Sequence, residues 1–185
     1  MTPTARQQAR HWQRAPGSLT QRLFAWGGEV RVQRLRQQVA PLLPGEAADL
    51  GLAPGTRCLV REVVLHVGDA PVVWARSVAP HAALSGPWKA LVGLGTRPLA
   101  ALLFDDPAVS RTRLRPHWHP RGSRWHQRAD EAWRTVAGQP WPAAVVAARS
   151  SVFWRRGMPL RVFEAFSPAM LASPTATPPT SPRPR

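Results

Sequence analysis

Residues 57–80, RCLVREVVLHVGDAPVVWARSVAP, read as two strands folded back on each other through Val67-Gly68-Asp69-Ala70-Pro71. Glycine supplies positive φ in such a turn, and aspartate tolerates one. On the first strand Leu59, Arg61, Val63, Leu65 and Val67 share one face, and Cys58, Val60, Glu62, Val64 and His66 share the other. Arg61 therefore interrupts an otherwise apolar row. A guanidinium keeps its charge, so a buried one needs an anionic partner. That partner is either a carboxylate of the protein or a carboxylate of something the protein binds.

Outward from the hairpin toward the N-terminus, residues 40–56 are loop-like, with proline and glycine punctuating a few leucines. Residues 29–39 form a strand candidate with Val30 and Val32 on one face and Arg31 and Gln33 on the other. Ser18 can cap a short helix over 19–24 that ends at Gly27-Gly28. Residues 1–16 are polar, basic and weakly patterned, a frayed-helix candidate, and 1–17 are expected to be a partly disordered extension.

In the other direction, Ser85 or Gly86 caps a helix over 88–92 with Pro87 in its first turn, and Thr96 caps a second over 98–104. Short, capped and joined through Gly93 and Gly95, the two resemble a lid more than a core layer. Residues 109–118 alternate, with arginines at 111, 113 and 115, whereas 119–142 are irregular apart from a helical passage over 128–136. Alternation returns over 143–154, and a turn at 155–159 leads into a closing strand over 160–166. The 172–185 segment is a Pro/Ser/Thr-rich tail expected to be disordered. No internal repeat is present. Hairpin-like strands with a few short helices between them predict an α+β fold: a single antiparallel sheet with short helices or flaps covering one face.

A chain of 185 residues, 44% hydrophobic, suits one domain. The net charge of +15 is almost all arginine, Lys89 being the only lysine. Such an arginine-heavy chain, rich in alanine and proline, bears the mark of its coding composition, so the charge is a weak functional signal. A positive field still favours anionic ligands. One cysteine, Cys58, excludes an internal disulfide framework and fits a reducing compartment. The N-terminus lacks the apolar stretch of a secretory signal, and no apolar run reaches membrane-spanning length. A cytoplasmic protein without stable membrane insertion is expected.

Glu164 is the second residue out of place. Its row is Leu160, Val162, Glu164 and Phe166, and it is the only acidic residue after Glu131, in a segment with seven arginines. A carboxylate on an apolar face is costly unless paired or protonated. Two readings stand side by side: Arg61 and Glu164 form a structural ion pair, or both face one ligand cavity. Arg76, on a face with Val72, Trp74 and Val78, is a second anion contact or an edge residue whose stem packs on Trp74. His117, His119 and His126 have loose metal-like spacing without acidic or cysteine support, which disfavours a metal site. Nine tryptophans among many arginines raise base stacking, yet their scatter over the predicted elements favours packing over nucleic-acid binding. A Gly-rich phosphate loop, a G-x-S-x-G elbow and a CxxC pair are all absent, and Cys58 reads as packed rather than reactive.

Five segments in order, Leu59-Val60-Arg61-Glu62-Val63, Trp74-Ala75-Arg76-Ser77-Val78-Ala79-Pro80, Leu84-Ser85-Gly86-Pro87, Gly95-Thr96-Arg97-Pro98-Leu99 with Leu103-Phe104, and Glu164-Ala165-Phe166-Ser167-Pro168, resemble the chorismate pyruvate-lyase family. That family makes 4-hydroxybenzoate for ubiquinone synthesis. The resemblance runs from about Ser18 to Leu171 and implies a domain over 18–171 with helical flaps over a closed cavity. It implies a cofactor-independent carbon–oxygen lyase, a monomer whose partners are chorismate and 4-hydroxybenzoate and not nucleic acid. Position by position, it implies that Arg61 grips the ring carboxylate and that Glu164 stands at the hydroxyl end of the ring. The backbone amide of Leu99 would help hold the carboxylate, and Leu19 would be the contact from the N-terminal flap. Residues 119–142 look longer than the family's compact form requires, and the tail lies outside it. The competing reading is a non-catalytic small-molecule-sensing domain, because the fold also resembles effector domains of bacterial transcription regulators. The resemblance begins only about 17 residues into the sequence, which is expected to be too few for the DNA-binding domain such regulators carry.

Overall fold

The computed structural model describes residues 2–173. Its centre is the hairpin β2 (Cys58–Val67) and β3 (Ala70–Pro80), closed by the two-residue turn Gly68-Asp69 with Gly68 at φ +56°. Strand β1 (Val30–Val39) pairs with the outer side of β2. On the other side of β3 lies β7 (Met158–Phe166), and beyond it β6 (Val145–Arg155). Two short strands, β4 (Val109–Arg111) and β5 (Arg115–Pro120), share the far edge of β6. All seven strands pair antiparallel in one sheet. The alternation over 109–118 is thus two strands with a break at 112–114 between them.

The single antiparallel sheet of an α+β fold is as expected, but its covering extends to both faces. One face carries the register row Arg61, Ser77, Val162 and Ser151, and next to it Val63, Ala75, Glu164 and Arg149. Over it lie α1 (Pro3–Arg14), α2 (Leu19–Gly27), α4 (Ala100–Phe104), α6 (Pro168–Ala172) and two 3-10 turns, His81–Ser85 and Lys89–Leu91. The other face packs against α3 (Glu46–Leu50) and α5 (Arg124–Ala137). Ser123 caps α5 and Gly138, at φ +67°, ends it, so the helix is longer than the 128–136 passage read from sequence. Its buried residues Trp125, Ala129, Ala132 and Trp133 recur at helical spacing and cover Trp74 and Phe163.

The N-terminal segment corrects the expectation of a partly disordered extension. Thr2 caps α1, Ala9 and Trp12 bury into the core beside Phe166, and Gln13 donates to the carbonyls of His117 and Ala148, both at 3.0 Å. Residues 40–56 likewise hold a helix, α3, whose Glu46 is fully buried. The capping expected of the lid differs too. Ser85 ends the first 3-10 turn, the second starts without a side-chain cap, and α4 begins at Ala100 with Leu99 rather than Thr96 at its N-cap. The tail from 174 onward lies outside the described residues.

Candidate active site

The apolar face of the central strands is the floor of a cavity with about 580 Å³ of space free of protein atoms, part of it open to solvent. Two segments close over it: Gly17–Thr20 with the start of α2, and 98–104 around α4. Ser18 caps α2 by accepting from the Gln21 amide, which fixes Leu19 at the first helical turn. The walls are mainly aliphatic and aromatic, with Val63, Leu65, Leu103 and Phe153 among them, and four charged side chains interrupt them: Arg61, Arg111, Arg149 and Glu164.

Arg61 is 2% exposed. Its Nη2 donates to the carbonyls of Gly95 and Arg97, both at 3.1 Å, and its Nε is buried without a hydrogen-bond partner. Among the described residues it has no carboxylate partner. Burial, with the charge of Arg34 behind it, pulls its pKa down to about 10, which leaves it charged at neutral pH. A buried cation without a counter-ion is an expensive arrangement that a bound anion relieves.

Glu164 does not pair with Arg61. Its Oε2 accepts from Arg149 Nε at 2.6 Å, and Arg149 is itself fixed by the carbonyls of Trp12 at 3.1 Å and Ala15 at 2.6 Å. Arg149 is fully buried, and its Nη2 is left without a partner. The register separates Arg61 and Glu164 by one intervening strand, β3, so about 9–10 Å of sheet lies between their strands. Of the two readings open in the sequence, the structural ion pair is excluded and the shared cavity remains. Arg111, at the end of β4, donates from Nε to Ser151 Oγ at 2.9 Å and from Nη1 to the Gly17 carbonyl at 3.3 Å. Its guanidinium lies over the rings of Phe153 and Phe104.

All four residues that the resemblance implies, Arg61, Leu99, Leu19 and Glu164, line this one cavity. Arg76 does not: it sits on the opposite face of a central strand, neither an edge residue nor part of the cavity. It makes a bidentate pair with Glu46 at 2.8 and 2.9 Å, a bond to Glu62 at 2.7 Å and a bond to the Pro41 carbonyl. His117 and His119 stack on each other, His119 on Trp125, and His117 shares a hydrogen bond with Ser150 Oγ, while His126 is held by the Ala143 carbonyl. Cys58 is buried among Leu50, Val60 and Val78, and burial raises its thiol pKa.

Arg149 and Arg111 escaped the sequence reading. Arg149 stands in the row Ala147, Arg149, Ser151, Phe153 on a strand with no acidic residue, so the reasoning that singled out Arg61 applies to it equally. Arg111 gave no such signal, because its strand is three residues long.

Solved structures share the fold. They include a GntR-family transcriptional regulator from Bacillus cereus, at TM-score 0.55 and 10% identity over 80% of this chain and 99% of that one. They also include PhnF from Mycobacterium smegmatis, at TM-score 0.59 and 14% identity over 90% of this chain and 70% of that one. At such identities the likeness is one of fold. Fold and site together define a class: α+β domains with a cavity between one sheet face and overlying helices. Within that class, the family model described as chorismate lyase matches residues 3–173. A relative from Albidiferax ferrireducens, named probable chorismate pyruvate-lyase, is 42% identical over 85% of this chain and 80% of its own. One from Aromatoleum aromaticum with the same name is 39% identical over 94% and 91%. The chain belongs to the chorismate lyase family and is an enzyme of the lyase class. No helix among the described residues is long and apolar enough to cross a membrane.

Proposed function

We propose that the protein is a chorismate pyruvate-lyase that converts chorismate to 4-hydroxybenzoate and pyruvate, the entry step to ubiquinone, in the cytoplasm and without a metal or organic cofactor. One observation carries this reading: Arg61 is buried in an apolar cavity with no carboxylate partner among the described residues, and Glu164 stands across the same cavity. The family membership and the names of the relatives support it.

In the reaction the bond between the ring and the enolpyruvyl ether oxygen breaks, and the hydrogen on the neighbouring hydroxyl-bearing ring carbon leaves as a proton. The ring becomes aromatic, and the departing enol takes up a proton at its methylene carbon to become pyruvate. Aromatisation drives the step, so the protein's part is to orient the substrate and place charge. Arg61 takes the ring carboxylate through Nε and its remaining donors, aided by the Leu99 amide and by Leu19 on the first flap. Glu164, one oxygen held by Arg149, offers the other to the ring hydroxyl. The apolar walls and the two flaps exclude water from the reacting bond.

The test is to mix pure protein with chorismate in chelator-treated buffer and follow 4-hydroxybenzoate by its ultraviolet absorbance. Stoichiometric appearance of product and pyruvate is expected, and unchanged chorismate would overturn the reading.

A further inference from the structure

Chorismate carries two carboxylates, and the contacts described so far account for only the one on the ring. The second, on the enolpyruvyl group, leaves from the ring carbon next to the one bearing the hydroxyl. It must therefore lie toward the Glu164 end of the cavity, away from Arg61. Across the sheet the cavity's charged groups run Arg61 on β2, Glu164 on β7, Arg149 on β6 and Arg111 on β4. Three guanidinium groups against one carboxylate leave +2, matching a dianion.

Arg149 is committed to Glu164 and to two carbonyls of the N-terminal segment. Arg111 is not committed in this way. It has no ion-pair partner among the described residues, its only bonds there are to a hydroxyl and a carbonyl, and its Nη2 makes none. Burial lowers its pKa, and of the two charges that act on it Glu164 opposes and Arg149 adds to the shift, which sets it at the Glu164 end. Its guanidinium lies over the rings of Phe104 and Phe153, which do not neutralise it.

We propose that Arg111 binds the enolpyruvyl carboxylate of the substrate and so distinguishes substrate from aromatic product, which has lost that group. This assignment rests on the chorismate lyase reading above. It gives the departing group its own cation, so that charge developing on the enol is stabilised where the bond breaks. Because 4-hydroxybenzoate cannot make this contact, Arg111 favours binding of the substrate over retention of the product.

The experiment compares wild type, Arg111→Gln and Arg111→Lys in two measurements: kcat/KM for chorismate and Kd for 4-hydroxybenzoate by titration calorimetry. Arg111→Gln is expected to lower kcat/KM roughly 10–100-fold and to leave the product Kd within about twofold, with Arg111→Lys recovering much of the loss. A thermal melt of each variant guards against loss of folding. If the variant loses both ligands in step, Arg111 only latches the flap through Gly17, and the assignment falls. It falls equally if neither ligand is affected. Wild-type protein that turns over no chorismate would overturn the functional reading and this assignment together, whereas an active wild type confines any failure to Arg111.

Discussion

Removing the Arg61 guanidinium takes away the only charged group at its end of the cavity among the described residues, whereas neutralising Glu164 leaves Arg61 in place. The two substitutions should therefore fail differently. Arg61→Ala is expected to lower kcat/KM for chorismate by about 10²–10³-fold and to abolish measurable 4-hydroxybenzoate binding. Glu164→Gln should lower kcat by about 10²-fold with a much smaller change in KM. Steady-state kinetics on both variants check this, and near-normal values for the pair would dismiss the site. Arg61 and Glu164 were legible in the sequence because each breaks an apolar row of period two. Arg149 breaks one as well, but its neighbours Ala147 and Ser151 are small and make the interruption shallow. Arg76 broke a row for another reason: its counter-ions, Glu46 and Glu62, come from α3 and from the neighbouring strand. Periodicity reports that a charge is buried, but not which face of the sheet it occupies relative to a cavity.

Helix α1 shows where pattern reading stops. Its buried side chains Ala9 and Trp12 form too small an apolar stripe to stand out in PTARQQARHWQR, yet the helix is bound to the rest of the fold through Trp12, Gln13 and the carbonyls that hold Arg149. Trp12, 3% exposed, lies against Phe166 and Trp26. Trp12→Ala is expected to cost about 3–5 kcal/mol, read as a shift in the urea midpoint. The same variant should weaken catalysis beyond what the loss of folded protein explains, because α1 positions the partner of Glu164. Strands β2, β3 and β7 were clear from alternation, and the reversal between β2 and β3 followed from one glycine turn; the register of β7 beside β3 did not. The 3-10 turns and α4 were not, because three to five residues provide too little period for capping rules to decide their ends.

Across the whole molecule, the two faces of the sheet hold charge for opposite purposes. On the cavity side, guanidinium groups are left short of partners. On the other side Glu62 accepts from Arg76 and Arg128 and forms an ion pair with Arg36, and Glu46 and Asp49 take Arg76 and Arg161. Arg76→Ala would take the bidentate partner from Glu46 and one of three cations from Glu62, both carboxylates being fully buried, and should destabilise the fold by about 3–5 kcal/mol in chemical denaturation. Acid acts on the same side. Burial, reinforced by His117 and Arg161, lowers the pKa of His119 to about 4, and burial also lowers those of His117 and His66. The unfolded chain takes up these protons near pH 6.5, while folded His119 does not until about pH 4. The unfolded state thus binds more protons between those values, and stability falls as pH drops through that window. Burial alone would raise the pKa of Glu62, but Arg128 and then Arg76 outweigh it and hold it below its ordinary value, so its contribution is lost at still lower pH. Urea midpoints measured from pH 7 to pH 4 should decline steadily, and His119→Phe, which keeps a ring against Trp125, should flatten the decline.

Among the described residues strand β7 is the last strand in chain order, yet it occupies the middle of the sheet, between β3 and β6. Until it arrives, a growing chain exposes two open strand edges where the finished molecule has none, and those edges are the kind that capture other polypeptides. The cavity floor and the carboxylate opposite Arg61 come into existence in the same event that seals those edges. A polypeptide halted before residue 158 would therefore be both inert and sticky, and the step that ends its hazard in the cell is also the step that makes it an enzyme.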